Sequence, residues 1–447
     1  MRILIIGALI FIAGCKSSSQ PQYEHKILPA SKTNSSPVEI AEQQTVKIEL
    51  TDGKLTLQQA TAATLLHNPR LKAYDLDRRI SEARQIQAMA TPNPELEMEV
   101  ENFGGTGDFS GLDSAEVSLQ LSQIIELGGK LEKRKKIASL DSDIAEQSYN
   151  AAKLQILAEL TTAYIDAAKM QKMVDISQEL LQWVEQSHEM LARKVAAGVG
   201  SDIDLKRAAM ELSSAKMRHN ELLLDFERTK TSLSSFWAAE QVRFEGIEAN
   251  FQASTKLPDF DKLKQKLNEN PQLLLLKTEI EKNKAAIDIE RANSMPDITI
   301  GGGIKYDNDT DDKAFIVGVS IPLPITNTNR GQRLEATHNL AKTHQLKRQQ
   351  QIELQNVFNE ISSSLINSST KAMELENNIL PQAREILNGL QNAHRRAAIT
   401  YWELLDARKS YLENQAEYIE AISEYQKSMV LIHTITGQKP NTTNFNR

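Results

Sequence analysis

From Lys130 to Ala197 the chain runs 68 residues without a single Gly or Pro, and Leu, Ala, Glu, Lys and Gln dominate the stretch. Glycine weakens a helix and proline breaks its hydrogen-bond ladder, so their absence predicts one continuous helix of roughly 100 Å at ~1.5 Å per residue. That length would cross about three bilayer cores, yet the stretch is too polar to lie in one. Such a helix must pack lengthwise on other long helices in water. Segments 69–91 and 201–245 flank it, and laid end to end they match its length. No proline falls between Pro94 and Pro258, although the chain has 13.

An internal duplication organises the rest. Asn68-Pro69-Arg70-Leu71 recurs as Asn270-Pro271-Gln272-Leu273, and the same shift carries Pro94, Leu96 and Met98 onto Pro296, Ile298 and Ile300. A shift two residues smaller carries Val117, Leu119 and Leu121 onto Val317, Val319 and Ile321, and Leu205 onto Leu405. Ordered landmarks of this kind mark two copies of one unit. The first copy occupies residues 51–250 and the second 251–440, with a tail at 441–447. Each copy predicts helix, strand, strand, long helix, turn, helix. Leu71, Ile80, Ala83, Ile86 and Ala90 lie near helical spacing in the first of these. In the second copy Pro381 and Gly389 are expected to interrupt the long helix.

Both copies carry a hairpin, at about 94–124 and about 296–324. Leu96, Met98 and Val100 alternate with glutamates, and Val117, Leu119 and Leu121 alternate with Glu116, Ser118 and Gln120. Period-two alternation marks a strand with one apolar and one polar face. Phe103 and Phe109 flank the first loop, and Tyr306 and Phe315 the second. Aromatics there fit either the interfacial girdle of a membrane barrel or ordinary hairpin packing. Four strands cannot close a barrel in lipid, because open sheet edges are not tolerated there. If these are membrane strands, at least two chains must pool them, and the strands alone do not fix the number.

The N-terminus carries a processing signal. Arg2 precedes an apolar run from Ile3 to Ile12, too short to span a bilayer, and small residues follow. Residues 1–14 are therefore expected to be a signal peptide. Ile12-Ala13-Gly14-Cys15 resembles the bacterial lipoprotein signal, which implies lipid attachment at Cys15, the chain's one cysteine. Lys16 after it implies sorting to the outer membrane. Residues 15–50 are rich in Ser, Gln, Pro and Thr and are expected to form a lipidated flexible linker.

The charge balance points away from nucleic acid: net charge is −7 and no basic patch dominates. Lys130 to Lys136 is expected to be a solvated helix face. The eight histidines include no i,i+4 pair. The acidic loop Asp307 to Asp312 lacks the glycine and distal Glu of a calcium loop. No metal site, cofactor or catalytic motif is expected.

These residues resemble the TolC-type outer-membrane efflux protein family over about 54–437. Leu55-Thr56-Leu57-Gln58-Gln59-Ala60 before His67-Asn68-Pro69 is similar to the family's opening helix, and Glu403-Leu404-Leu405-Asp406-Ala407 with Tyr411 and Tyr418 to its closing helix. Gln123-Ile124-Ile125-Glu126-Leu127-Gly128-Gly129-Lys130 resembles the heavy-metal branch, partners of cobalt–zinc–cadmium and copper exporters. The resemblance implies an α+β membrane protein in which two tandem repeats each supply a membrane β-hairpin and long periplasmic helices. It also implies a homotrimer whose 12-stranded β-barrel continues into a 12-helix α-barrel. Implied partners are a periplasmic adaptor protein, an inner-membrane RND pump and outer-membrane lipid. The tips, about 197–203 and about 397–403, lie farthest from the strands. Gly198, Val199, Gly200 and Ser201 with Ile399, Thr400 and Tyr401 are the implied adaptor contacts. Glu403 and Asp406 match the family's acidic pair at the periplasmic gate. Two other roles stay open: a duct for drugs or type I protein secretion, and a structural periplasmic coiled-coil lipoprotein.

Overall fold

The repeated Asn-Pro pair does the same job twice. In a computed structural model, which describes residues 53–249, 251, 257–396 and 398–439, Asn68 caps a helix by accepting from the Leu71 N–H at 3.0 Å. Its amide donates to the carbonyl of Phe236 at 2.7 Å. Asn270 accepts from Gln272 and Leu273 and donates to the Ile435 carbonyl at 2.9 Å. Each proline then takes the first helical position, where a missing N–H costs nothing. Each Asn thus starts one helix and pins the end of another in its own repeat.

The elements follow in chain order. A two-residue strand β1 (Lys54–Leu55) leads into α1 (Leu57–His67) through a Thr56–Gln59 capping box. Then come α2 (Pro69–Ala88), β2 (Glu95–Glu101), β3 (Glu116–Ile125) and α3 (Lys130–Ala196), a single helix of 67 residues. After α3 the chain turns into α4 (Asp202–Ser234), β4 (Gly246–Ile247) and α5 (Phe260–Lys266). The second repeat continues with α6 (Pro271–Asn293), β5 (Ile298–Asp307), β6 (Asp312–Ser320), α7 (Arg330–Glu374), α8 (Leu380–Arg395) and α9 (Tyr401–Ile435).

Four expectations need correction. Lys130 does not lie on a solvated face: it is buried and its ammonium donates to Asp297 at 2.7 Å. The helix expected over 201–245 stops at Ser234, where a 3-10 turn and a left-handed Ala238 (φ 54°) redirect the chain. Pro381 does not interrupt the second long helix. A π-turn at Leu375–Ile379 joins α7 to α8, and the wider loop makes room for the proline ring and its missing donor. Gly389 sits inside α8 without a break.

Short parallel strands β1 and β4 pair beside the middle of α3. There the buried Tyr164 hydroxyl lies between the carbonyls of Leu55 and Glu248. Burial raises its pKa, so it stays a neutral donor.

The other four strands form an antiparallel sheet in the order β2-β3-β5-β6. Register puts Leu96, Met98 and Val100 on one face with Leu121, Leu119 and Val117, then Ile304, and then Phe315 and Val317. This face is open: Phe315 is 91% exposed, Val317 82% and Leu96 70%. Phe103 and Phe109 are exposed as well.

The helices form two layers around α3. Next to the sheet the packing order is α2-α3-α6-α7, and away from it α4-α3-α9, with α7 and α8 on α9. One edge of the chain is therefore β2, α2 and α4, and the other β6, α7 and α8. No described helix is long and apolar enough to cross a membrane, a test that does not bear on the strands.

Candidate functional site

The first tip is built by glycine. Gly198 adopts a left-handed conformation (φ 73°), its N–H donates to the Val195 carbonyl and that of Val199 to Lys194, closing α3 with a Schellman pattern. A Cβ on Gly200 would lie 2.7 Å from the backbone nitrogen of Val195, so this close approach also demands glycine. Ser201 caps α4 by accepting from the Asp204 N–H. Val199 and Ile203 project into solvent, 78% and 77% exposed.

The second tip starts α9 with a capping box. The Thr400 hydroxyl accepts from the Glu403 N–H, and the Glu403 carboxylate accepts from the Thr400 N–H at 2.7 Å. That bond, then the hydroxyl, holds the Glu403 carboxyl below its ordinary range. The capping contribution is thus present at neutral pH and lost as pH falls through the lowered pKa. Asp406 lies one turn on, also exposed.

Tyr401 must be moved out of the expected contact set. Its side chain is buried, stacked on Trp183 with ring centroids 5.4 Å apart, and edge-on to Trp402 at 4.9 Å. It supports the tip from behind, while Val199 and Thr400 remain at its surface and Ile399 is half-buried against Leu387 and Leu404.

Sequence reasoning missed what binds the two tips together. Trp402 donates its indole N–H to Asp204 at 2.8 Å, and the Arg207 guanidinium lies 3.9 Å over its ring. Farther along, Arg408 pairs with Glu179 at 2.6 Å and Lys409 with Glu211 at 2.5 Å. The signal available was a pair of aromatics opening an amphipathic helix, which alone names no partner.

A second feature lies on the sheet's polar face. Glu95, Glu97, Glu99 and Glu101 all point there, joined by Glu116, Asp307 and Asp312. Lys305 is the one base on this face among the described residues, and it pairs with Glu116. The four β2 glutamates form no ion pair among the described residues and are exposed. In the sequence this ladder is the polar half of the alternation that carries Leu96, Met98 and Val100. Among the described residues no group of three His, Cys, Asp or Glu is arranged to hold a metal ion. Cys15 lies outside the described residues.

The profile of the outer membrane efflux protein family matches residues 60–239 and 263–438, so each matched block takes in one hairpin and its long helices. The chain belongs to the outer membrane efflux protein family. Within it, CzcC, a cobalt-zinc-cadmium resistance protein of Cupriavidus metallidurans, is 24% identical over 86% of this chain and 91% of its own length. SilC, a probable outer membrane lipoprotein of Salmonella typhimurium, is 20% identical over 98% of both chains. The crystal structure of the Campylobacter jejuni CmeC outer membrane channel superposes with a TM-score of 0.70 at 16% identity, over 87% of this chain and 86% of that one. The tandem repeats are thus those of an outer-membrane efflux fold: hairpins for the membrane, long helices for the periplasm.

Proposed function

We propose that three copies of this chain close into one passive conduit, twelve pooled strands above twelve helices, which releases heavy-metal cations delivered by a periplasmic adaptor and an inner-membrane RND pump. The observation that carries the assembly is where the unpaired apolar surface lies. On α4, Ile203, Met210, Met217 and Leu224 recur every seven residues at 68–77% exposure, the spacing of a helix–helix seam. Ile80 and Ile86 on α2 are exposed on the same edge, and Ile379 and Ile386 lie at the opposite edge. Two different edges that both want a helical neighbour fit a head-to-tail ring.

Cation transport rests on the glutamate ladder and on the resistance named for CzcC. With the apolar face toward lipid, the carboxylates line the lumen. Lipid attachment at Cys15 accords with the lipoprotein named for SilC. Val199, Ile399 and Thr400 at the tips then meet the adaptor, and Glu403 and Asp406 narrow the periplasmic mouth.

Deleting the protein is expected to lower survival on at least one of zinc, cobalt, cadmium, copper or silver, with little change on a drug panel. Sensitivity confined to drugs would contradict the metal assignment. At the tip, Glu403→Gln with Asp406→Asn is expected to change single-channel conductance or selectivity in planar bilayers. Glutamine keeps the capping box, so the effect is electrostatic. An unchanged trace would remove both residues from the gate.

A further inference from the structure

The junction of sheet and helices carries a matched strap and groove on the chain's two edges. Register puts Glu95, Ser122, Gly301 and Gly318 in one row across the four strands, so β2 and β6 end within two residues of each other along the sheet. Just beyond the foot of β6 runs Ile321-Pro322-Leu323-Pro324-Ile325, where Leu323 is 74% and Ile325 81% exposed. The prolines fix their own φ and hold Ile321 and Leu323 extended, so little entropy remains to be lost on docking. The Ile325 N–H closes back on the Leu323 carbonyl at 2.8 Å, stiffening the strap further.

Just beyond the foot of β2 lies a cavity of about 570 Å³ lined by Arg84, Gln87, Ala88, Ala90, Pro92 and Arg134. Arg134 is fixed across it, bound to both oxygens of Glu126 and donating to the Ala90 carbonyl at 3.2 Å. Ala88, Ala90 and Pro92 give the groove an apolar lining, beside the polar side chains of Arg84, Gln87, Thr91, Glu126 and Arg134. Charge fits too. Arg84, one turn from the end of α2, and Glu335, in the second turn of α7, are exposed, and neither forms an ion pair among the described residues.

We infer that the Ile321–Ile325 strap of one protomer seats in the Arg84–Pro92 groove of the next, a clip at the base of the barrel that locks neighbouring subunits. This rests on the ring proposed above. The strap is the apolar continuation of the β6 edge and the groove that of the β2 edge, so closing the sheet brings them together. Arg84 then faces Glu335 of the next copy.

The test is cross-linking in isolated membranes with a short bismaleimide. One double variant carries Leu323→Cys with Ala88→Cys. Control variants carry Leu96→Cys with Val317→Cys or Val319→Cys, across the closing strands. The expected result is covalent dimers and trimers from the strap pair and from a control pair, and none from any single variant. Cross-links from a control pair without any from the strap pair would overturn the clip and leave the ring standing. No cross-links from any pair would contradict the ring, and the clip with it.

Discussion

Replacing Glu95, Glu97, Glu99 and Glu101 together by glutamine is expected to reduce the cation-over-anion preference of the reconstituted channel severalfold, with the oligomer intact. Successive residues on one face of a strand are about 7 Å apart, at ~3.4 Å per residue. The screening length is about 8–10 Å at 0.1–0.15 M salt. Neighbouring carboxylates therefore act as one negative strip along β2 instead of four separate charges. Lys305 offsets little of it, because it is already paired with Glu116. At 1 M salt the screening length falls to about 3 Å, and the wild-type preference should shrink toward that of the variant. Reversal potentials across a potassium chloride gradient measure both effects. Equal values for wild type and variant at low salt would mean that these glutamates do not face the conducting path.

Substituting alanine for Gly303 is expected to abolish most of the heat-resistant oligomer in the outer-membrane fraction, whereas Gly302→Ala leaves it near the wild-type level. At position 303 a methyl group would run into the carbonyl oxygen of Leu119 and come within 2.8 Å of the Gln120 Cα. Both are backbone atoms of the paired strand β3, so no side chain can swing aside. Overpacking of this kind costs about 1–3 kcal/mol or more, a large part of the ~5–15 kcal/mol that stabilises a typical domain. The strained pair is also the joint between the two hairpins. At position 302 the nearest atom, the Ile316 carbonyl oxygen, is 3.7 Å away, an ordinary contact. Semi-native electrophoresis of both variants measures the difference. Indistinguishable behaviour would contradict the β3–β5 register.

Much of this architecture is legible in the sequence because its strongest signals are local. A stretch free of Gly and Pro has few ways to end, and α3 stops one residue short of the expected limit. Alternation locates all four sheet strands, since a period of two survives in seven or more residues. The failures are nonlocal. The end of α4 at Ser234 carries no Gly or Pro, and it is set by the turn at Ala238 and the packing of Trp237 on Phe244. Strands β1 and β4 have two residues each and hence no periodicity. The π-turn before Pro381 is a backbone adjustment that no residue type announces. Tyr401 resembles a contact residue because it opens a helix at a tip. Only the fold brings Trp183, from the middle of the chain, over its ring.

The central claim is that strands from separate chains join edge to edge in lipid, and the mass of the unlipidated protein tests it most directly. The mature chain with Cys15→Ser, exported behind a signal that adds no lipid, should still require detergent and should purify as an oligomer with the mass of three chains. A monodisperse monomer, stable in detergent-free buffer, would contradict the account.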